Sequence, residues 1–495
     1  NSTLQDPTDT LDGQTAVGIG GVVGIFEKGA CPLTAPFRVF DVTAAQARDI
    51  LPVNPALGIR SLVYNSRQTP VNSVFGQPPD SHTGPLHDPT AIMYVRTRDL
   101  VADSQGVKRL RSDLKAEPLV LRANAGDCIA VILRNKLPNT PLRNDAGWDT
   151  LPLLFDDLGG NLRPFNTNQI VPSPYVGLHP QLLTYNAHRS DGNNIGFNRV
   201  STVAPNGIGL YLWYAGTMNA AANGSVTFTP VEFGGTNLIP SDRIKHPNKG
   251  AIGSLIIEPP GSTYLDDTFN DPTDLLAKKT RASATITPGT GGSFREFVLM
   301  HQTNINFQYK DGTAVRNLAG EDDPEDSGQR AFNYRSEPLW FRMGHVPQTP
   351  LEATRELIWT NVLSNSKIGN LDPETPIFVA SRGAAVRFRV LDPGGHGRNN
   401  VFALHGHIWE EEPWNSTGTV QAANPISEWK GAQFGIGSTF HDNFLLKNGA
   451  GGKGLVVGDY LFRTFQSTQF DNGLWGIFRV LTLTKTAADG SLVIE

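Results

Sequence analysis

One strand–turn–strand design occurs twice in this chain. Pro118 to Asn135 sets Val-, Leu- and Ile-rich runs on either side of Ala125-Gly126-Asp127, and Pro376 to Leu391 repeats the layout around Arg382-Gly383-Ala384. Short apolar runs bounded by turn residues read as strands. Recurrence of the pattern at two distant places argues for two homologous β-sandwiches. The intervening sequence agrees: Phe37 to Val42 alternates, Thr90 to Val95 follows a Pro-rich loop, and 51 Gly with 35 Pro interrupt any long amphipathic helical pattern. An all-β fold is expected.

At 495 residues the chain has room for two or more domains of about 150 residues each. Gly253 to Ser262 has the form of a closing strand with a Pro-Gly stop, and the stretch from Leu265 to Ser293 is polar and rich in Asp, Thr and Gly. The expected layout is an N-terminal extension over 1–34, a first sandwich over 35–264, a connector over 265–293 and a second sandwich over 294–495. Long irregular insertions run from Asn54 to Pro89, Asp145 to Pro174 and Asp311 to Asp326. Such loops act as functional covers or interfaces, or shield the edges of sheets.

The formal net charge is −5 and no dense Lys/Arg block occurs, so the electrostatic footprint of a nucleic-acid binder is missing. No apolar run reaches the roughly 18 residues of a membrane-spanning helix. The sequence opens at Asn1 without an initiator Met, which suits a secreted or periplasmic protein after removal of a signal peptide. Its two cysteines, Cys31 and Cys128, suit one disulfide in an oxidising compartment or two quiet thiols, with the bridge as the preferred reading. Glycosylation triplets start at Asn1, Asn223 and Asn415.

The segment from Gly458 to Val480 is the most specific. Its frame resembles the last copper-binding strand of a multicopper oxidase, where HCHxxxH runs into a Gly-Leu or Gly-Met turn. Here the motif positions hold Arg463, Thr464, Phe465, Gln466, Ser467, Thr468 and Gln469. From residue 35 to residue 485 the chain resembles a two-domain multicopper oxidase-like protein. The resemblance implies two cupredoxin-type Greek-key β-sandwiches, with a mononuclear type 1 copper and a trinuclear cluster near their interface. A blue copper needs a thiolate and two imidazoles, and neither Thr464 nor Gln469 supplies one.

Carried over position by position, the other motifs are also incomplete. Within Tyr175 to Tyr185, His179 aligns with the first imidazole of an HxH pair and Gln181 with the second. Alternation along a strand places both on one face. The second HxH should fall in Asn237 to Lys249, where the one histidine, His246, stands beside a proline and is expected on a surface loop. The HPxHxH motif corresponds to Asn400 to Glu410: Asn400 takes the type 1 position, Ala403 a cluster position, His405 keeps the next, and His407 follows two residues on, expected on the same face. The resemblance therefore implies no type 1 copper and no intact trinuclear cluster. A single copper or zinc held by His179, His405 and His407 stays open, with a free position for water or oxygen. In the competing reading those imidazoles are relics, hydrogen-bonded to backbone or to Glu410, Glu411 or Glu412.

His82 and His87 sit in a Pro/Gly loop and are expected to be solvated, while His301 reads as a satisfied core or edge residue at a strand end. His188, His345, His396 and His441 lack a distinctive context. There is no GxSxG elbow, P-loop, strand-borne GxGxxG or HExxH. The acidic runs at Glu321 to Asp323 and Glu410 to Glu412 read as solvated faces. Trp213, Trp409, Trp414, Trp475, Tyr185 and Tyr214 either pack the cores or line a cleft for an organic ligand. Two functions follow. The first and preferred one is a secreted binding or structural protein that has left oxidase chemistry, acting through its surface or by assembly as a homo-oligomer or with a companion subunit. The second is a copper-dependent oxidoreductase with one copper at the domain interface, since a scaffold does not fix its chemistry.

Overall fold

The computed structural model of the chain describes residues 31–69, 82–142, 153–156, 162–165, 171–223, 225–267, 279–315, 328–344, 361–395, 400–465, 471–486 and 492–494. The principal strands of the first half are β1 (Phe37–Gln46), β2 (Ile92–Arg96), β3 (Leu119–Asn124), β4 (Cys128–Asn135), β5 (Leu178–Pro180), β6 (Thr184–Tyr185), β7 (Ile208–Tyr214), β8 (Gly234–Pro240) and β9 (Gly253–Glu258). They form two sheets, in the orders β6-β7-β4-β1-β2 and β5-β8-β9-β3. The Ala125-Gly126-Asp127 turn is a corner that carries the chain from one sheet to the other. Each sheet therefore holds one parallel pair, β1 with β4 and β3 with β9.

The second half repeats this arrangement. Its strands are β10 (Thr263–Asp267), β11 (Thr280–Thr287), β12 (Phe294–Ile305), β13 (Gln329–Phe332), β14 (Ile377–Ser381), β15 (Val386–Leu391), β16 (Asn400–Leu404), β17 (Ala432–Ile436), β18 (His441–Leu445), β19 (Gly458–Thr464) and β20 (Trp475–Leu481). One sheet runs β10-β11-β12-β15-β18, with β13 also on β12, and the other runs β14-β20-β19-β16-β17. Again each contains one parallel pair, β12 with β15 and β14 with β20. The order β1-β4-β7 matches β12-β15-β18, and β3-β9-β8-β5 matches β14-β20-β19-β16, with the same strand directions. The all-β expectation holds, as two cupredoxin-type sandwiches of one design.

Each sandwich closes on alternating inward side chains. Phe40, Val42, Leu121, Val131, Trp213 and Leu255 fill the first, and Phe297, Phe378, Phe388, Phe402, Phe462 and Phe478 the second. Rings in the second core lie close, with Phe297 and Phe378 centroids 4.8 Å apart. A further apolar cluster joins the halves: Tyr64, Met93, Val120 and Ile256 pack with Met300, Phe307, Tyr334 and Leu391. At about 1.5–3 kcal/mol per buried large apolar side chain, this shared cluster is a major term in holding the sandwiches together.

Two strands fall within the stretch read as a connector. β10 pairs with β11, β11 extends the sheet of β12, and Arg281 of β11 reaches back to Asp99 at 2.9 Å. Of the insertions, Leu62–Asn65 and Leu86–Asp88 form an antiparallel pair that buries Leu62, Tyr64 and Leu86 in the shared cluster. Residues 70–81, most of 143–170 and 316–326 lie outside the described residues. Cys31 and Cys128 are bridged, with Cα atoms 5.8 Å apart. Among the described residues no helix is long and apolar enough to cross a membrane.

Candidate functional site

Strand β5 is short, and His179 pairs opposite Ile239 of β8. The His179 ring does not point to open space. Its Nδ1 lies 3.0 Å from the Asp191 carbonyl and 3.2 Å from Asp191 Oδ1, so the proton sits on Nδ1, which leaves Nε2 without a partner among the described residues. Backbone approach fixes this contact. A Cβ on Gly177 would lie 1.9 Å from the Gly192 carbonyl oxygen, so the loop carrying Asp191 rests directly on the strand entering β5.

Gln181, at the second imidazole position, spans the two sandwiches. Its Nε2 donates to the Thr439 carbonyl at 2.8 Å, while its Oε1 accepts from Asn237 Nδ2 at 2.9 Å. Asn237 Nδ2 also donates to the Phe440 carbonyl at 2.8 Å. Thr439 and Phe440 are held in turn by Asp392, whose carbonyl accepts from the Thr439 N–H and whose N–H donates to the Phe440 carbonyl, at 2.7 and 3.0 Å. Strand β8 is tied down further along: Gly235 N–H donates to Asn443 Oδ1 at 2.8 Å, and Gln421 Nε2 to the Phe233 carbonyl at 3.1 Å.

His405 and His407 part company, contrary to the expectation that they share a face. Strand β16 ends at Leu404, and the chain then turns at Gly406, whose φ of 70° suits glycine. His405 is exposed while His407 is buried. Gly451 N–H donates to His407 Nε2 at 3.1 Å, so Nδ1 carries the proton and donates to the His405 carbonyl at 2.9 Å. Tyr460 and Phe478 press on the ring with centroids at 4.6 and 5.3 Å. Burial lowers the pKa of His407, and partial desolvation with the nearby Arg463 charge lowers that of the more exposed His405. Glu410 is occupied by the Asn424 N–H at 2.6 Å and takes neither histidine.

The type 1 positions lie on the inner face of the second sandwich. Asn400, Phe402 and Leu404 alternate inward, and Thr464 pairs opposite Phe402. Both Asn400 and Thr464 are buried, and Asn400 Oδ1 and Thr464 Oγ1 have no hydrogen-bond partner. An amide oxygen and a hydroxyl do not fit a metal that takes a thiolate and imidazoles, and the two cysteines are bonded to each other. Gln466 to Gln469 lie outside the described residues. Among the described residues no three His, Cys, Asp or Glu side chains converge as a metal cradle.

Several other histidines differ from expectation. His246 is fully buried, not on a surface loop: the 242–249 turn folds inward, and His246 Nε2 donates to the Ser173 carbonyl at 2.8 Å. His87 is also buried, because Leu86–Asp88 pairs with Leu62–Asn65; its Nδ1 meets Ser61 Oγ at 2.8 Å and its Nε2 the Tyr309 carbonyl at 3.1 Å. His82 stacks on Tyr309 at 4.8 Å and meets Asp311 Oδ2 at 3.0 Å. His301 lies within β12, where burial drives its pKa down to about 4 and Nδ1 donates to the Leu391 carbonyl. His188 contacts Asn198 Oδ1 at 3.2 Å, and His441 stands on β18. His345, His396 and Glu321 to Asp323 lie outside the described residues. The aromatic set packs cores: Trp213, Trp409, Trp475 and Tyr214 are buried, with the Trp409 indole N–H on Gln433 Oε1 at 2.9 Å.

Sequence reasoning located Gln181 but not its partners, because a strand's alternation fixes a side chain's face and says nothing of what a distant loop brings to it. Asn237 carried no signal at all.

No family model matches the chain, and no curated protein matches it. Solved structures similar to it include a multicopper oxidase, at 12% identity and a TM-score of 0.41, covering 96% of each chain. A copper nitrite reductase from Nitrosomonas europaea has 12% identity and a TM-score of 0.41, covering 90% of this chain and 94% of that one. A multi-copper oxidase from Pseudomonas thermotolerans has 12% identity and a TM-score of 0.40, covering 93% of this chain and 67% of that one. The fold is read from the strand pairing itself: two cupredoxin-type β-sandwiches, one design used twice in a single chain.

Proposed function

We propose that this chain is an extracytoplasmic, multicopper oxidase-like binding or structural protein, in which positions that an oxidase gives to copper now hold the sandwiches and their loops in register. The observation that carries the reading is Gln181, whose amide bridges Asn237 and the Thr439 carbonyl across the two halves. His407 supports it, since both of its ring nitrogens are engaged by backbone. Among the described residues His179 Nε2 and both ring nitrogens of His405 have no hydrogen-bond partner, but two imidazoles fall short of the three or four donors a stable site uses. The Cys31–Cys128 bridge supports an oxidising compartment.

Elemental analysis of protein purified from its native source, with assay of phenol oxidation, tests this. The expected result is no stoichiometric copper and no oxidase activity. One or more tightly held coppers per chain, lost on His405→Ala substitution, would overturn the proposal in favour of a mononuclear copper enzyme.

A further inference from the structure

Residues near Tyr175, Asn193 and Arg243 line an open, solvent-facing cavity of about 730 Å³, within the roughly 300–1,000 Å³ of small-molecule sites. Its walls are built. On one side Asp191 is a hub: its carbonyl accepts from His179, its Oδ1 accepts from the Tyr185 hydroxyl at 3.1 Å, and its Oδ2 accepts from the Asn193 side-chain amide at 3.0 Å. Next along, Asn194 Oδ1 accepts from the Ser201 N–H at 3.0 Å, and Asn194 Nδ2 donates to Thr202 Oγ1 at 3.0 Å. On the opposite side the Asp242 carboxylate accepts from the N–H groups of Ser173, Ile244 and Lys245 at 2.8, 3.1 and 2.9 Å.

The consequence is an imbalance of hydrogen-bonding capacity. Two acceptors in the lining, the Asp242 carboxylate and the Asn194 amide oxygen, are spent on the protein's own N–H groups, while the Asn193 amide oxygen is not. Several donors are not spent: among the described residues the exposed Arg243 guanidinium makes no ion pair, and the Tyr175 and Ser241 hydroxyls, also in the lining, have no hydrogen-bond partner. In residues 186–202 the one carboxylate is the buried Asp191, so the negative charge nearest an incoming anion is that of Asp242, already shared among three N–H groups. The same mouth exposes apolar surface, with Tyr175 at 47% and Ile195 at 50%.

We propose that this cavity binds a small organic carboxylate with an aromatic or aliphatic body. The carboxylate takes the Arg243 guanidinium, whose planar fork matches it, and the body lies against the Tyr175 ring and Ile195, releasing water from both. His179 acts here as a positioning residue, holding the Asp191 hub.

The test is titration of the full chain with benzoate, 4-hydroxybenzoate and hexanoate, with benzamide as the uncharged control, followed by ligand-observed NMR and calorimetry. The carboxylates are expected to bind, with benzamide weaker by about tenfold or more. Arg243→Leu should weaken benzoate by about tenfold or more with an unchanged thermal midpoint, and Arg199→Leu, a second exposed arginine on the loop, should leave benzoate affinity as it was. Absence of binding by every carboxylate up to about 10 mM, equal binding of benzamide, full binding by Arg243→Leu, or an equal loss in Arg199→Leu would each overturn the site.

Discussion

Gln181 donates its side-chain amide to the carbonyl of Thr439, joining strand β5 of one sandwich to the turn before β18 of the other. Truncation leaves that carbonyl and the Asn237 amide short of a partner. Gln181→Ala is therefore expected to cost about 1–3 kcal/mol, read as a lower urea midpoint with an unchanged slope. Gln181→His, which restores an HxH pair in sequence, should lose a similar amount and take up no copper. A stable copper-loaded variant would contradict the interface role.

A buried group of four charges lies nearby. Glu296 Oε1 and Oε2 each sit 2.9 Å from a guanidinium, Arg122 of the first sandwich and Arg389 of the second, while Glu258 stands 3.7 Å from both. Burial, and then the charge of Glu296, raise the Glu258 pKa well above the carboxylate range, which favours its neutral form, and neither Glu258 oxygen has a hydrogen-bond partner among the described residues. Burial pushes Glu296 up as well, but Arg122 and Arg389 outweigh it and the net shift is downward. Glu258→Gln should therefore be nearly neutral, whereas Glu296→Gln, which takes the close carboxylate partner from the buried Arg389 and leaves Arg122 with Asp266 at 2.8 Å, should cost about 3–5 kcal/mol. Equal losses in chemical denaturation would refute the assignment of the proton.

Two aspartates shape the stability profile between acidic and neutral pH. Burial raises Asp392 to about 7, and burial with Glu412 and Glu411 raises Asp442 to about 7. An acid raised on folding stabilises fully below its unfolded value, about 3.9, and that contribution disappears as pH climbs through the folded value. Unfolding free energy should fall between about pH 4 and about pH 7, and Asp442→Asn should reduce the fall. An Asp442→Asn profile parallel to wild type would show that the group titrates normally.

His407 is expected to matter for folding and not for metal. Its ring bridges the His405 carbonyl and the Gly451 N–H beneath Tyr460. His407→Ala should lower stability by about 1–3 kcal/mol, while copper titrations of variant and wild type coincide. A copper stoichiometry that drops with the substitution would return His407 to a ligand role.

Much of the architecture was legible because it rests on local pattern. The twin segments at Pro118 and Pro376 each proved to be a corner between sheets, and the Cys31–Cys128 pairing followed from cysteine count and compartment. The site was harder to read. His405 and His407 are two apart, and alternation would align them, but a glycine between them turns the chain and ends the strand. His87 and His246 look like loop residues by composition; their burial depends on contacts with Ser61, Tyr309 and Ser173, remote in sequence. The arginine cavity had no local motif, since Tyr175, Asn193 and Arg243 meet only after β5 and β8 pair.

The apolar cluster shared by Tyr64, Met93, Ile256, Met300 and Leu391 belongs to neither half alone. Cutting the backbone between Asp267 and Lys279 would accordingly not release two independent modules: the fragments should travel together through gel filtration and melt in one transition.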